Sequence, residues 1–141
     1  MNRALRILFV EDMPDIQKVG LRLFQAEGHR VYLATNGREA VDIFDREPVD
    51  LVVMDLQMPE MDGWQAAREI RRRERAPRGV PIIAVSSYVQ QAEPDRIRAA
   101  GIDAFIAKPL DNARLIRTIA ELCTNDSDRD SAHSLRDEAA S

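Results

Sequence analysis

Short apolar runs in this chain end on residues that can do chemistry. ILFV leads into Glu11 and Asp12, LVVM into Asp55, PIIAV into Ser86 and Ser87, and AFIA into Lys108, with Pro109 next. A carboxylate at the end of a buried strand is costly unless a cation or hydrogen bonds stabilise it. Carboxylates brought together there also repel one another: at ~4 Å and an effective dielectric of about 20, a pair costs roughly 4 kcal/mol. A divalent cation resolves the conflict. An all-oxygen donor set without histidine or cysteine favours a hard ion, Mg²⁺ keeping several waters. Such an ion beside an ammonium and a hydroxyl suits a phosphoryl group, and one carboxylate can then act as nucleophile to give an acyl phosphate. Asp55 is the choice, because its strand is central and its neighbours can close around it.

These residues meet only if the runs are neighbouring strands that end on one side of a sheet. Strands are expected over 5–10, 30–34, 50–54, 80–85 and 103–107. The first, third and fourth are nearly continuous in apolar residues, as parallel strands covered on both faces are. The second alternates and suits an edge. Helical patterns lie between them. In 14–27, Ile16, Val19, Leu23 and Phe24 form one stripe behind Pro14. In 37–47, Ala40, Val41 and Phe44 do the same after Thr35 or Asn36 as N-cap. Segment 63–75 is rich in arginine. Segment 94–100 opens at Pro94 and closes at Gly101. In 111–123, Leu115, Ile116, Ile119 and Leu122 share a face behind Asp111. Five β-α units predict a three-layer, doubly wound α/β fold around a five-stranded parallel sheet, with ligands outside the carboxyl ends of the strands.

The chain has 141 residues, enough for one domain with its own core. A net charge of −4 gives no reason to expect nucleic-acid binding. One cysteine, Cys123, excludes an internal disulfide framework and fits a reducing cytoplasm. The N-terminal apolar stretch is too short for a signal-peptide core or a membrane span. The expected domain runs over 1–123. In 124–141 five acids face two bases and Leu135 is the only large apolar residue, so a disordered acidic tail is expected there. No G-x-x-x-x-G-K-[ST] occurs, and no helix-turn-helix follows residue 123, so neither a nucleotide-binding loop nor direct DNA binding is expected.

The strings FVEDMPD, LVVMDLQMPEMDG, PIIAVSS and AFIAKPL, in that order, resemble the receiver domain of two-component response regulators over residues 4 to about 123. The resemblance implies a flavodoxin-like sheet of order 2-1-3-4-5. It implies that Asp55 takes a phosphoryl group from a phosphohistidine on a histidine kinase or a histidine phosphotransfer protein. Asp12 is then a direct Mg²⁺ ligand, Glu11 acts through water, and the backbone carbonyl of Gln57 is a further ligand. Lys108 pairs with phosphoryl oxygens, and the Lys108–Pro109 bond is cis. Ser86 donates its hydroxyl to the phosphoryl group, which lets Phe105 turn inward. The face made by the fourth helix, fifth strand and fifth helix is then read by a downstream protein. Gln57 and Tyr88 hold positions that tune the lifetime of the aspartyl phosphate. The protein is a cytoplasmic signalling module rather than an enzyme, a monomer or a phosphorylation-linked dimer. Glu11 stands where aspartate is commoner, Ser86 where threonine often is, and Phe105 lacks a tyrosine hydroxyl. The motifs suit a single-domain regulator, with a piece of a hybrid kinase or of a longer regulator as the alternative.

A phosphatase of the haloacid dehalogenase type is the rival enzyme. It needs a second acid two positions after the nucleophile, where this chain has Gln57; two positions after Asp12 stands Pro14. Other residues carry plainer expectations. Arg68, Arg71, Arg72, Arg73, Arg75 and Arg78 read as a solvated helix end that favours the dipole. Trp64 reads as a packing anchor, Cys123 as an inert thiol, and His29 and His133 as surface residues. The stretch 87–93 is expected to be the most mobile ordered segment.

Overall fold

The computed structural model describes residues 4–58, 61–74, 79–88 and 93–123. Strands β1 (Arg6–Val10), β2 (Arg30–Ala34), β3 (Leu51–Asp55), β4 (Ile82–Ser86) and β5 (Ala104–Ala107) alternate with helices α1 (Pro14–Ala26), α2 (Gly37–Arg46), α3 (Gly63–Arg73), α4 (Pro94–Ala99) and α5 (Asn112–Leu122). The strands form one parallel sheet in the order β2-β1-β3-β4-β5, as the resemblance implies. β2 is indeed an edge. Every residue of β3 and β4 is buried, which explains their unbroken apolar runs.

Successive strand residues face opposite layers. Leu8, Val52, Met54, Ile82 and Ala84 pack under α2, α3 and the end of α4, with Trp64 and Ile70 among the contacts. Ile7, Phe9, Val53, Ile83 and Ile106 pack under α1 and α5 through Phe24, Leu115 and Ile119. Phe9 and Phe24 meet edge to face at 5.3 Å.

The helix ends follow local chemistry. Asn36, not Thr35, caps α2 by accepting the Glu39 N–H, while the Glu39 carboxylate accepts the Thr35 N–H at 2.9 Å. Asp62 and Asp111 cap α3 and α5. Pro14 and Pro94 open α1 and α4, and Gly101, at φ +79°, follows α4. Val19 departs from its expected stripe: it is half exposed.

Two readings of single residues are corrected. His29 is not a free surface residue: it is half buried, and its Nδ1 accepts the Leu5 N–H at 3.0 Å. Nor is Arg71 merely a solvated helix end. Its guanidinium donates to the carbonyls of Gly101 (2.8 Å) and Val80 (2.7 Å) and pairs with Glu74 and Asp103, tying α3 to both ends of the β4–α4 unit. Trp64 is buried as a packing residue should be, and Cys123 is a buried thiol. Residues 89–92 of the expected mobile stretch, Arg75, Arg78, and the whole expected tail with His133 lie outside the described residues.

Candidate functional site

Register assembles the site. Val10 pairs with Met54, so Glu11, one residue on, lies level with Asp55 at the end of β3. Asp55 pairs with Val85, and Ser86 with Ala107, which brings Ser86 and Lys108 alongside. The Lys108 N–H donates to the Ser86 carbonyl at 2.9 Å and continues the ladder one step past β5. The Lys108–Pro109 peptide is cis.

Glu11, Asp12 and Asp55 each offer a carboxylate oxygen within 4.8 Å of the others. Glu11 and Asp55 are buried, and Asp12 is the most open to solvent. Lys108 Nζ lies 3.0 Å from Asp55 Oδ2 and 3.3 Å from Glu11 Oε1. Asp55 Oδ1 accepts the Gln57 N–H at 3.0 Å, and Glu11 Oε2 accepts the Met13 N–H at 3.2 Å. One ammonium for three carboxylates leaves the cluster short of positive charge. Burial first, and then the charge of Asp55, push the Glu11 carboxyl up to about 7, against the pull of the Met13 N–H and Lys108. Burial works against the Lys108 ammonium, but the hydrogen bond and charge of Asp55, with Glu11 behind it, outweigh that and raise its pKa. The donor set is all oxygen, crowded and under-compensated, and it fits a hard divalent ion.

The backbone leaves little slack around Asp55. The Gly63 N–H donates to the Leu56 carbonyl at 3.1 Å, and a Cβ on Gly63 would stand 2.4 Å from the Asp55 carbonyl oxygen. Only glycine lets α3 begin so close beneath the loop that leaves β3.

Of the residues singled out from the sequence, Glu11, Asp12, Asp55 and Lys108 meet as one cluster. Ser86 is fully buried, and its hydroxyl donates to Gln57 Oε1 at 2.6 Å while accepting the Tyr88 N–H at 3.0 Å. Tyr88 therefore joins through its backbone, and the residue is half exposed. Phe105 is part buried against the layer under α2, α3 and α4, outside the carboxylate cluster. Two partners had no signal in the sequence: the side chain of Gln57 as the acceptor for Ser86, and Gln17, whose Nε2 donates to the Glu11 carbonyl at 2.6 Å. Contacts made by side chains across loops leave no periodicity to read.

A groove of about 610 Å³ opens beside Lys108. Its walls are mainly apolar, from Met13, Ile16 and Val19 of α1 and its entry and from Pro109 and Leu110 after β5, with Asp15 and Ser87 as polar members. Met13 and Val19 are about half exposed.

Comparisons with known proteins agree with this fold. The chain is similar to the polar-differentiation response regulator DivK of Brucella anthropi, with 33% identity over 113 residues, 80% of this chain and 91% of that one. Its backbone matches the receiver domain of a sensor histidine kinase from Pseudomonas aeruginosa PAO1, which holds a magnesium ion in its active-site cleft. That match has a TM-score of 0.76 and 36% identity, and covers 84% of this chain and 97% of that one. It also matches the Saccharomyces cerevisiae Ssk1 receiver domain, solved together with the histidine phosphotransfer protein Ypd1, at TM-score 0.78 and 26% identity over 87% and 91% of the two chains. The family model for the response regulator receiver domain matches residues 7–120, and with the sheet order and the carboxylate cluster at its carboxyl edge, this chain belongs to the receiver domains of two-component signalling.

Proposed function

We propose that Asp55 is the phosphoacceptor of a phosphorelay, and that the chain signals by phosphorylation-dependent protein binding. The observation that carries this reading is the cluster itself: a buried carboxylate with a lysine at 3.0 Å, a second and third carboxylate within 4.8 Å, and a serine hydroxyl at the end of the adjoining strand. The donor is a phosphohistidine. An Asp55 carboxylate oxygen forms the new O–P bond as the P–N bond breaks. The electron pair returns to the imidazole nitrogen, which takes up a proton from solvent. Lys108 shifts from the carboxylate to a phosphoryl oxygen, and Ser86 donates its hydroxyl to another. Asp12, Asp55 and the Gln57 backbone carbonyl are the residues that would hold Mg²⁺, with Glu11 acting through water. The ion would neutralise charge developing on the transferred group.

The donor must bring its imidazole to Asp55, so it must cover the rim of the site. The apolar groove along α1, continuous with Lys108, supports that face as the donor's seat. The α4–β5–α5 face is left for the downstream partner. α4 has no buried residue and Phe105 is only part buried, so this face has room to rearrange. The described domain carries this signalling role in the cytoplasm, and 124–141, expected from composition to be an acidic tail, lie outside the described residues. No helix among the described residues is long and apolar enough to cross a membrane.

Intact mass spectrometry after incubation with Mg²⁺ and acetyl phosphate tests the reading. The expected result is a labile gain of one phosphoryl group in wild type, lost on chelation and absent in Asp55→Asn. Equal gain in both proteins places the acceptor elsewhere and overturns the mechanism. No gain in wild type, even from a phosphohistidine donor, overturns the function.

A further inference from the structure

The Ser86 hydroxyl carries one proton and two lone pairs. The proton is committed to Gln57 Oε1 at 2.6 Å, and one lone pair to the Tyr88 N–H at 3.0 Å. Ser86 is fully buried, so water does not readily take over a lost partner. Gln57 stands two residues beyond Asp55, and its own N–H donates to Asp55 Oδ1. One residue thus touches the acceptor carboxylate through its backbone and the hydroxyl of the next strand through its side chain.

We propose that the Gln57 carboxamide is a latch on the Ser86 hydroxyl that holds the receiver in its resting state. The proposal rests on the reading of Asp55 as phosphoacceptor. A hydroxyl has a single proton to give, so Ser86 donates either to Gln57 or to an oxygen carried by Asp55. The two contacts compete, and the free energy of the first is subtracted from what the second gains. A ligand shifts a two-state equilibrium only by its differential affinity for the two states. Weakening the resting contact therefore raises the share of receptive molecules before any phosphoryl group arrives, and tightens apparent binding by the same factor. Gln57 acts here as a positioning residue, through Ser86.

Beryllofluoride with Mg²⁺ stands in for a phosphoryl group on a carboxylate, and its binding is measured by calorimetry. The proteins are wild type, Gln57→Met, Ser86→Ala, the double variant and Asp55→Asn. Methionine keeps the length of glutamine and replaces its strong amide acceptor with a weak thioether one. Gln57→Met is expected to bind about fivefold tighter than wild type, the size of one net hydrogen bond. In the Ser86→Ala background the same substitution should change nothing, because the interaction it removes is already gone. Without ligand, the Tyr88 amide resonance should move in Gln57→Met, and Gln57→Ala should reproduce both effects. An equal gain in both serine backgrounds, or no gain in the wild-type background, overturns the latch while leaving Asp55 as acceptor. Failure of wild type to bind beryllofluoride any better than Asp55→Asn overturns the acceptor reading and the latch with it.

Discussion

Three carboxylates share one ammonium at the site, and their repulsion is a standing cost in the metal-free protein. Removing one charge should relieve it. Asp12→Asn is expected to raise the metal-free melting temperature by about 3 °C. It should also abolish most of the stabilisation that Mg²⁺ gives wild type, since ligand-linked stability follows affinity. Thermal denaturation with and without Mg²⁺ checks both, and a lower metal-free melting temperature would count against repulsion. His29 supplies one part of the pH dependence, opposite in sign to that of Glu11, whose raised carboxyl gains stability as pH falls through about 7. Burial lowers the His29 pKa against the raising charge of Glu27, and the neutral ring accepts the Leu5 N–H. Its folded pKa is below its unfolded one, so the stability it contributes is present above about pH 6.5 and lost as pH falls through the lowered value. The change in urea midpoint from pH 7.5 to 5.5 should be less favourable in wild type than in His29→Gln, since Glu11 contributes equally to both, and equal changes would remove His29 from the pH dependence. Asp55, Glu11, Asp12 and Lys108 were legible because each ends an apolar run. His29 was not, because its partner is a backbone N–H distant in sequence.

Helix α4 is six residues long and buries none of them. A helix this short is marginal without packing. Ile97 packs against the core, and the Arg96 guanidinium lies 4.0 Å above the Trp64 ring, whose buried Nε1 has no hydrogen-bond partner among the described residues. Amide exchange should therefore be fastest in α4 of the five helices, and faster still in Arg96→Ala. Exchange as slow as in α5 would show that α4 is anchored as firmly as α5. Helix α3 is the opposite case. Arg71 satisfies two carbonyls and two carboxylates at its far end, and Arg73 pairs with Glu69 and reaches across to Asp45 of α2. Arg71→Leu is expected to cost about 2–3 kcal/mol in urea denaturation, because the Val80 and Gly101 carbonyls lose a charged donor. A cost under about 0.5 kcal/mol would mean that water replaces it. Arginine content alone could not separate Arg71 from its neighbours. A solvated arginine and one that bridges two loops look alike in sequence, and only the fold sets Gly101 and Val80 within reach.

For the molecule as a whole, strand and helix order could be read from the alternation of apolar runs with helical stripes, and the ends fell within a few residues. Sheet order could not be read from periodicity; it came with the resemblance and agrees with the structure. The division into two layers follows from the side-chain alternation of β1, β3 and β4, which the continuous runs conceal. Order and register together have one further effect. The site draws Glu11 from the first strand and Lys108 from the last, 97 residues apart, and joins them directly. Asp55 lies between two strands, one made before it and one after. During synthesis on the ribosome, the Asp55 carboxylate therefore emerges long before its lysine. A nascent chain lacks the Lys108 contacts to Asp55 and Glu11 until the fifth strand has left the exit tunnel and docked, so on the proposed reading of Asp55 a chain truncated before β5 presents an incomplete site.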